Sequence, residues 1–137
     1  MLEATLSATE DADALVSAAA ISDFTTAARE EKIRSGEPLA LELEPTPKLL
    51  DRVRAERPGL TIVGFKLESD GGDALVSAAR TQLQRTGGAF VVANDAGALG
   101  SECTRALIVR REGYDAYEGP KTGLGLRVAA ELAAELD

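Results

Sequence analysis

Three short apolar runs constrain the fold of this 137-residue chain more than any other feature of its sequence. They lie at residues 13–21, 60–65 and 89–93, and polar residues or glycines bound each of them. Continuous apolar runs of this length are typical of strands buried on both faces, as in parallel sheets. Segments with helical spacing separate the runs, so the sequence predicts an α/β fold with a largely parallel sheet and flanking helices.

The remaining segments predict the elements around that sheet. Helical spacing predicts a short helix over residues 1–10, a helix over 47–57 capped by Thr46, a helix over 74–85 ended by Gly87–Gly88, and a closing helix over 122–137. Residues 106–109 and 114–117 predict an antiparallel hairpin. The alternation of leucine with alanine and glutamate at 39–44 predicts a half-buried strand. Residues 25–37 are charged and lack a strong apolar face, which fits either a helix or a mobile segment.

Composition excludes several classes of function. Lys and Arg number 15 against 23 Asp and Glu, so the formal charge is −8, which argues against a nucleic-acid partner. No apolar run is long enough to cross a membrane, and no secretory signal opens the chain. The lone cysteine, Cys103, cannot build a disulfide framework, and the absence of histidine makes a transition-metal site unexpected. We therefore expect one cytoplasmic domain over 1–137 with no metal and no membrane contact.

Distinctive residues follow each apolar run. They are Ser22–Asp23–Phe24, Gly64–Phe65–Lys66 and Asn94–Asp95, and Lys32 and Arg34 lie on the charged segment after the first run. Ligands of open parallel sheets bind beyond the carboxyl ends of the strands. A carboxylate, a glycine, an aromatic ring and cations together suit a nucleotide-phosphate site. The chain has neither a Walker A loop nor a GxGxxG turn, so this pattern is weak by itself.

Each of these residues also has an ordinary structural interpretation. Lys32 fits a solvated surface lysine, and Asp23 fits a helix cap. Phe65 fits a core residue, and Asn94–Asp95 fits a turn. The thiol of Cys103 has no histidine to activate it and is expected to be inert. Residue chemistry alone therefore leaves the function open.

The order and spacing of five motifs resemble one family. The motifs are Ala18–Phe24, Lys32–Arg34, Pro45–Pro47, Val63–Phe65 and Ala93–Asp95. They resemble the phosphopantothenoylcysteine synthetase (phosphopantothenate–cysteine ligase) domain of the bifunctional coenzyme A biosynthesis flavoprotein. The chain resembles the carboxyl-terminal portion of that domain. The resemblance implies a Rossmann-like fold and a ligase that joins 4′-phosphopantothenate to L-cysteine through an acyl-nucleotidylate. It implies CTP or ATP as co-substrate with Mg²⁺, and FMN only on a separate decarboxylase domain that this chain does not include.

The resemblance also implies roles for particular residues. Lys32 becomes a catalytic lysine on a lid, Asp23 a nucleotide contact, and Phe65 a neighbour of the base or ribose. Further nucleotide-binding positions would be Pro47, Lys48, Leu49, Leu50, Gln82 and Thr86. Positions lining the site would be Arg34, Gly64, Asn94 and Asp95.

Departures from the family pattern carry their own expectations. The family has lysines where this chain has Gln82 and Thr86, and Arg80 or Arg85 would have to supply that charge. The glycine-rich turn and the asparagine of the family's amino-terminal part have no counterpart here, so we expect the chain alone to be inactive. A sheet lacking its first strands exposes an edge, which predicts a homo-oligomer such as a dimer. The alternative is a non-catalytic α/β interaction or regulatory module that keeps the fold.

Overall fold

The computed structural model describes residues 1–28, 30–33, 35–36, 38–69, 71–98 and 100–137, with Asp95 and Ala98 described by their backbone only. The helices are α1 (Leu2–Ala8), α2 (Leu49–Glu56), α3 (Asp73–Thr86) and α4 (Lys121–Leu136). The strands are β1 (Ala14–Ser17), β2 (Phe24–Thr25), β3 (Glu44–Pro45), β4 (Thr61–Glu68), β5 (Phe90–Asp95), β6 (Cys103–Val109) and β7 (Tyr114–Pro120). A single 3₁₀ turn, Ala96–Ala98, follows β5.

Five of these strands form one mixed sheet in the order β1-β4-β5-β6-β7. The strands β1, β4 and β5 are parallel, and β6 and β7 continue the sheet as an antiparallel hairpin. Strands β2 and β3 form a separate antiparallel ribbon. The α/β class, with a parallel core, a terminal hairpin and a closing helix, is confirmed.

Helices cover both faces of this sheet. Alternate residues of a strand point to opposite faces, so Ile62 of β4 faces α2 whereas Val63 faces α4. On one face Leu124 and Val128 of α4 pack on the strands, and on the other Leu75, Ala79 and Leu83 of α3 do so. This double cover explains why β4 and β5 appear in the sequence as continuous apolar runs.

The first strand is shorter and more exposed than its sequence predicts. The apolar run at 13–21 predicts a buried strand, but only Ala14–Ser17 is extended in the sheet. Its one described neighbour is β4, and the side chain of Val16 on the α4 face is 42% exposed. Helix α4 packs on residues of β4, β5 and β6, so this part of β1 lies beyond its cover. Residues 18–21 leave the sheet, and their apolar side chains are exposed.

The prediction of a strand at 39–44 is wrong for most of that segment. Only Glu44 of that segment is in a strand, where Glu44–Pro45 pairs with Phe24–Thr25. No described strand lies beside residues 39–43, so their alternating leucines have no core to face. The charged stretch at 25–37 contains no helix among its described residues; its first residue, Thr25, belongs to β2.

The four helices named above begin and end within two residues of the predicted bounds. Helix α2 begins at Leu49 with Lys48 as its N-cap, two residues later than expected. Thr46 does not cap it, because the Thr46 hydroxyl donates instead to the carbonyl of Ser22 at 2.6 Å. Gly87 ends α3 with φ at 59°, a left-handed conformation that glycine adopts without strain. None of the helices in the described part of the chain has the length and apolar character needed to cross a membrane.

Candidate functional site

A cavity of about 850 Å³ opens at the carboxyl ends of β1 and β4. Residues 16–23 and 46–50 form one side of it, and residues of β4, α3 and the inner face of α4 form the other. Asp23, Phe65 and Asn94, each placed by the sequence at the end of a strand, all line this cavity. The structure therefore brings these three residues together at the edge where open parallel sheets bind ligands.

The acidic residue of this cavity, Asp23, forms an ion pair with Lys48. The Nζ of Lys48 lies 2.5 Å from Oδ1 of Asp23, and both side chains are more than half exposed. The hydrogen bond and the charge of Lys48 hold the pKa of Asp23 below its usual range, and Lys66 and Arg85 act in the same direction. Asp23 is therefore a carboxylate at neutral pH, and three cations surround it.

Backbone contacts hold the loop before α2 beside that acid. The N–H of Thr46 donates to the carbonyl of Asp23 at 2.8 Å, and the Thr46 hydroxyl donates to that of Ser22 at 2.6 Å. Both contacts extend the β2–β3 ribbon. They position the next four residues against the cavity, in the place predicted for a nucleotide wall: Pro47, Lys48, Leu49 and Leu50.

The middle of β4 presents an aromatic ring and a close backbone approach. Phe65 is half-buried: it packs on the cluster beneath α4 and also lines the cavity. Gly64 lies under Gln82, and a side chain at Gly64 would collide with the Gln82 amide. The Gln82 amide also donates to the carbonyl of Phe65 at 3.4 Å. Gly64 thus lets Gln82 cross β4 and reach the cavity.

Cations are distributed around the cavity mouth. Lys48, Lys66, Arg85 and Lys121 line it. Arg85 pairs with Asp51 of α2, and Lys66 pairs with Glu68 at 2.7 Å. Arg80 is exposed elsewhere on α3 and is not among the lining residues. Of the two arginines that could replace the family's lysines, the geometry therefore favours Arg85.

A polar pair forms the inner wall on the β5 side. The amide of Asn94 donates to the hydroxyl of Thr104 at 2.9 Å, and Thr104 is buried. Thr104, Lys121 and the α4 residues were missed in the sequence prediction. The predicted hairpin could have indicated Thr104. A strand that follows β5 and pairs antiparallel with it must begin beside the end of β5, where Asn94 lies.

Several predicted site residues are not brought into the cavity. Lys32 is exposed and does not line it. Thr86 is only 1% exposed; its hydroxyl donates to the carbonyl of Gln82 at 2.9 Å, and its carbonyl accepts from Arg54 of α2 at 2.7 Å. These bonds turn Thr86 towards the core instead of the cavity. Arg34 lies outside the described residues, and Asp95 is described only as the last backbone position of β5.

The described residues offer no obvious metal centre. They contain no group of three or more histidine, cysteine, aspartate or glutamate side chains placed to hold an ion. Asp23 is the one acidic residue among the described residues that line the cavity, and Lys48 already neutralises it. Cys103 is a free, exposed thiol.

The fold and the cavity define an α/β domain with a ligand crevice at the ends of its parallel strands. The chain belongs to the family described as the DNA/pantothenate metabolism flavoprotein C-terminal domain, whose model matches residues 1–136. It is 49% identical over 102 residues to the coenzyme A biosynthesis bifunctional protein CoaBC of Thermococcus kodakarensis, covering 73% of this chain and 25% of that protein. It is 29% identical over 135 residues to the CoaBC protein of Methanocaldococcus jannaschii, covering 96% of this chain and 34% of that protein.

Solved structures support the same fold. The DNA/pantothenate metabolism flavoprotein of Streptococcus pneumoniae superimposes with a TM-score of 0.83 at 23% identity, over 98% of this chain and 68% of that one. A Cab2 variant in complex with phosphopantothenate-cysteine superimposes with a TM-score of 0.64 at 24% identity, over 88% of this chain and 45% of that one. The chain spans between a quarter and about a third of the two curated relatives.

Proposed function

We propose that this chain forms the nucleotide-binding part of a phosphopantothenate–cysteine ligase in coenzyme A biosynthesis. The reaction would activate the carboxylate of 4′-phosphopantothenate with CTP or ATP and then join it to L-cysteine. The observation that carries this proposal is the single cavity in which Asp23, Phe65 and Asn94 meet four cations. Its family and the names of its relatives point to the same pathway.

The cavity offers contacts for both parts of a nucleotide, the nucleoside and the phosphates. The ring of Phe65 and the apolar residues of the wall offer a face for a base or a ribose. Lys48, Lys66 and Arg85 offer cations for the phosphates. A polyphosphate would compete with Asp23 for Lys48, so we expect nucleotide binding to open the Asp23–Lys48 ion pair and to free the Asp23 carboxylate for a hydroxyl of the ligand.

Lys32 would act from a lid. It lies between the two strands of the β2–β3 ribbon in sequence, and this ribbon ends at the cavity wall. Closure of the intervening segment over a bound triphosphate would bring its ammonium group to the phosphates. A cation that arrives only after binding stabilises the state in which charge develops, which raises the rate more than the affinity.

The described residues do not build a Mg²⁺ site, because the one carboxylate among those that line the cavity is paired and offers too few oxygen ligands. The ion would instead belong to the triphosphate. The described residues also show no feature that assigns FMN to this domain. The cytoplasmic location stays a prediction.

Isothermal titration calorimetry of this chain with CTP and ATP, each with Mg²⁺, tests the proposal. We expect saturable binding that Phe65→Ala and Arg85→Ala weaken by about tenfold, corresponding to about 1.4 kcal/mol each. Arg80→Ala is the matched control, because Arg80 lies on the same helix outside the cavity. A second comparison uses CTP against CMP: Lys32→Ala should lower the affinity for CTP only slightly and should leave the affinity for CMP unchanged. Absence of heat with every nucleotide would contradict the proposal.

The alternative function is a non-catalytic interaction or regulatory module. The uncharged residues Gln82 and Thr86 favour it, because Thr86 faces the core and Gln82 carries no charge to hold a phosphate. The same calorimetric experiment separates the two functions, since a module that has lost the chemistry has no reason to bind nucleoside triphosphates selectively.

A further inference from the structure

Asn94 and Thr104 end two apolar rows on the face of the sheet that α4 covers. Alternate residues of a strand point to the same face, so Asn94 follows Val92 in β5 and Thr104 precedes Ala106 in β6. The strand register pairs Asn94 with Ala106, which puts Thr104 diagonally beside Asn94 on this face. The two polar side chains therefore meet where the core cluster ends and the cavity begins.

The hydroxyl of Thr104 both donates and accepts a hydrogen bond. Thr104 is 4% exposed, so its hydroxyl depends on partners within the protein. It donates to the carbonyl of Arg105 at 3.3 Å, which leaves its oxygen as an acceptor towards Asn94. Nδ2 of Asn94 donates to this oxygen at 2.9 Å and lies 3.5 Å from the carbonyl oxygen of Arg105. Two acceptors therefore face the Asn94 amide on this side, which favours its NH₂ end over its carbonyl end.

The carbonyl end of the Asn94 amide has no such partners. No described residue donates a hydrogen bond to Oδ1 of Asn94, whereas Nδ2 has the contacts given above. Asn94 is only partly buried, and it lines the cavity. An amide oxygen is an acceptor with two lone pairs. The contact with Thr104 thus leaves Oδ1 as an acceptor for a molecule in the cavity.

We propose that Thr104 is a positioning residue, which holds the Asn94 amide so that Oδ1 accepts a hydrogen bond from an uncharged N–H or O–H group of the ligand. An amide oxygen repels the oxygens of a phosphate, and the cations around Asp23 bind those better. This corner of the cavity would therefore take an uncharged part of the ligand. The consequence for the ligand rests on the proposed function, whereas the contact between Thr104 and Asn94 does not.

Removal of the Thr104 hydroxyl should release the Asn94 amide. The terminal torsion of an asparagine side chain is broad and roughly two-fold, so an amide without fixed partners turns readily. A turned amide would present its NH₂ group to the ligand, and two donors would then face each other. The ligand would lose a hydrogen bond and would also have to restore the orientation of Asn94 when it binds. Thr104 therefore affects binding through Asn94 without itself donating to the ligand.

Nuclear magnetic resonance tests the contact without any ligand. Asn94 is the only asparagine among the 137 residues, so selective ¹⁵N labelling of asparagine reports one side-chain amide. We expect Thr104→Val to speed the exchange of its amide protons with water about tenfold, and Thr104→Ser, which keeps the hydroxyl, to change it less than about twofold.

Thr9→Val is the matched control for this measurement. Thr9 is also 4% exposed, and its hydroxyl donates to the carbonyl of Thr5 at 2.8 Å, outside the cavity. Circular dichroism checks that the variants fold, and Thr104→Ala replaces Thr104→Val if the valine variant does not. Unchanged exchange without the Thr104 hydroxyl, or the same acceleration in Thr9→Val, overturns the proposal.

Calorimetry with 4′-phosphopantothenate and with CTP and Mg²⁺ tests the consequence for binding. We expect Thr104→Val to lower the affinity for at least one of these ligands about tenfold, and Thr104→Ser to restore it. In an Asn94→Ala background Thr104→Val should have no further effect, because no amide is left to hold. Additive losses from the two substitutions would mean that Thr104 acts on the fold alone, and they overturn the proposal. If neither ligand binds the unaltered chain, the proposed function fails, and the exchange measurement alone decides the role of Thr104.

Discussion

The packed part of the molecule and the segment from residue 18 to residue 45 differ in almost every physical respect. In β4, β5 and β6 the inward side chains are fully buried between helices. Between residues 18 and 45 every described residue is exposed. Yet the candidate site takes residues from both, with Phe65 and Asn94 from the packed strands and Asp23 from the exposed segment.

This difference indicates that the residues that stabilise the fold and those that can respond to a ligand lie in different parts of the chain. The packed part can hold its shape through burial of apolar area, at about 25 cal/mol per Å². The exposed segment has few contacts to hold it, so Asp23 and Lys32 are free to respond to a ligand. Substitutions in the two regions should therefore separate loss of folding from loss of binding.

The largest expected effect is on a core aromatic residue. Phe90 is fully buried in the cluster beneath α4, and Phe90→Ala should lower the free energy of unfolding by about 3–5 kcal/mol because it leaves a cavity. Phe24→Ala removes the same side chain from the exposed segment and should change stability by less than about 0.5 kcal/mol. Urea unfolding followed by circular dichroism measures both. Comparable losses would show that the exposed segment packs more than the structure indicates.

The next effect compares two glycines on adjacent central strands of the sheet, Gly64 within β4 and Gly88 just before β5. A Cβ at Gly88 would lie 2.8 Å from the backbone carbonyl of Ile62, which cannot move without displacing β4. Gly88→Ala should therefore cost about 1–3 kcal/mol of stability. A Cβ at Gly64 would meet only the amide end of Gln82, which can swing away, so Gly64→Ala should cost less than about 1 kcal/mol.

Thermal unfolding measures the stability of both glycine variants, and a double variant sharpens the result. Gln82→Ala should remove whatever penalty Gly64→Ala carries and should leave the Gly88→Ala penalty unchanged. If the Gly64→Ala penalty persists in the double variant, the collision lies with the backbone or with Leu50 instead of with Gln82.

These two regions also explain what the sequence predicts and what it does not. The packed strands were predicted to within a few residues. Because β4 and β5 are buried on both faces, their sequences are continuous apolar runs. The strand at 39–43 was mispredicted because alternation was taken as a sign of burial, whereas Leu39, Leu41 and Leu43 are exposed and join none of the core clusters. Periodicity reports that a face is apolar and says nothing about what covers it.

The site likewise contains residues that the sequence predicts and residues that it does not. Asp23, Phe65 and Asn94 were predicted together because parallel strands end at one edge, a rule that needs only the chain order. Thr104 and Lys121 were missed because they reach the cavity from an antiparallel strand and a helix start, whose positions depend on sheet order. The inward turn of Thr86 depends on its bonds to Gln82 and Arg54, which sequence spacing cannot show.

The smallest expected effect is a pH dependence that distinguishes the two ion pairs. Arg110 holds the pKa of Glu131 below its usual range through a contact at 2.7 Å on the packed side, and Lys48 does the same for Asp23 on the exposed side. A carboxyl whose pKa is lowered by folding stabilises the protein above its unfolded pKa, near 4.5 for Glu131, and that contribution is lost as the pH falls through the lower folded value.

Glu131→Gln should therefore cost up to about 1 kcal/mol at pH 7, and the cost should shrink towards zero as the pH falls below 4. Asp23→Asn should cost less at pH 7, because Asp23 and Lys48 are both well exposed and salt screens them. Urea unfolding at pH 7 and pH 3, in low and in high salt, measures the difference. A larger cost for Asp23→Asn would mean that the acid of the cavity helps to hold the exposed segment in place, and the division between a folding region and a binding region would then fail at that residue.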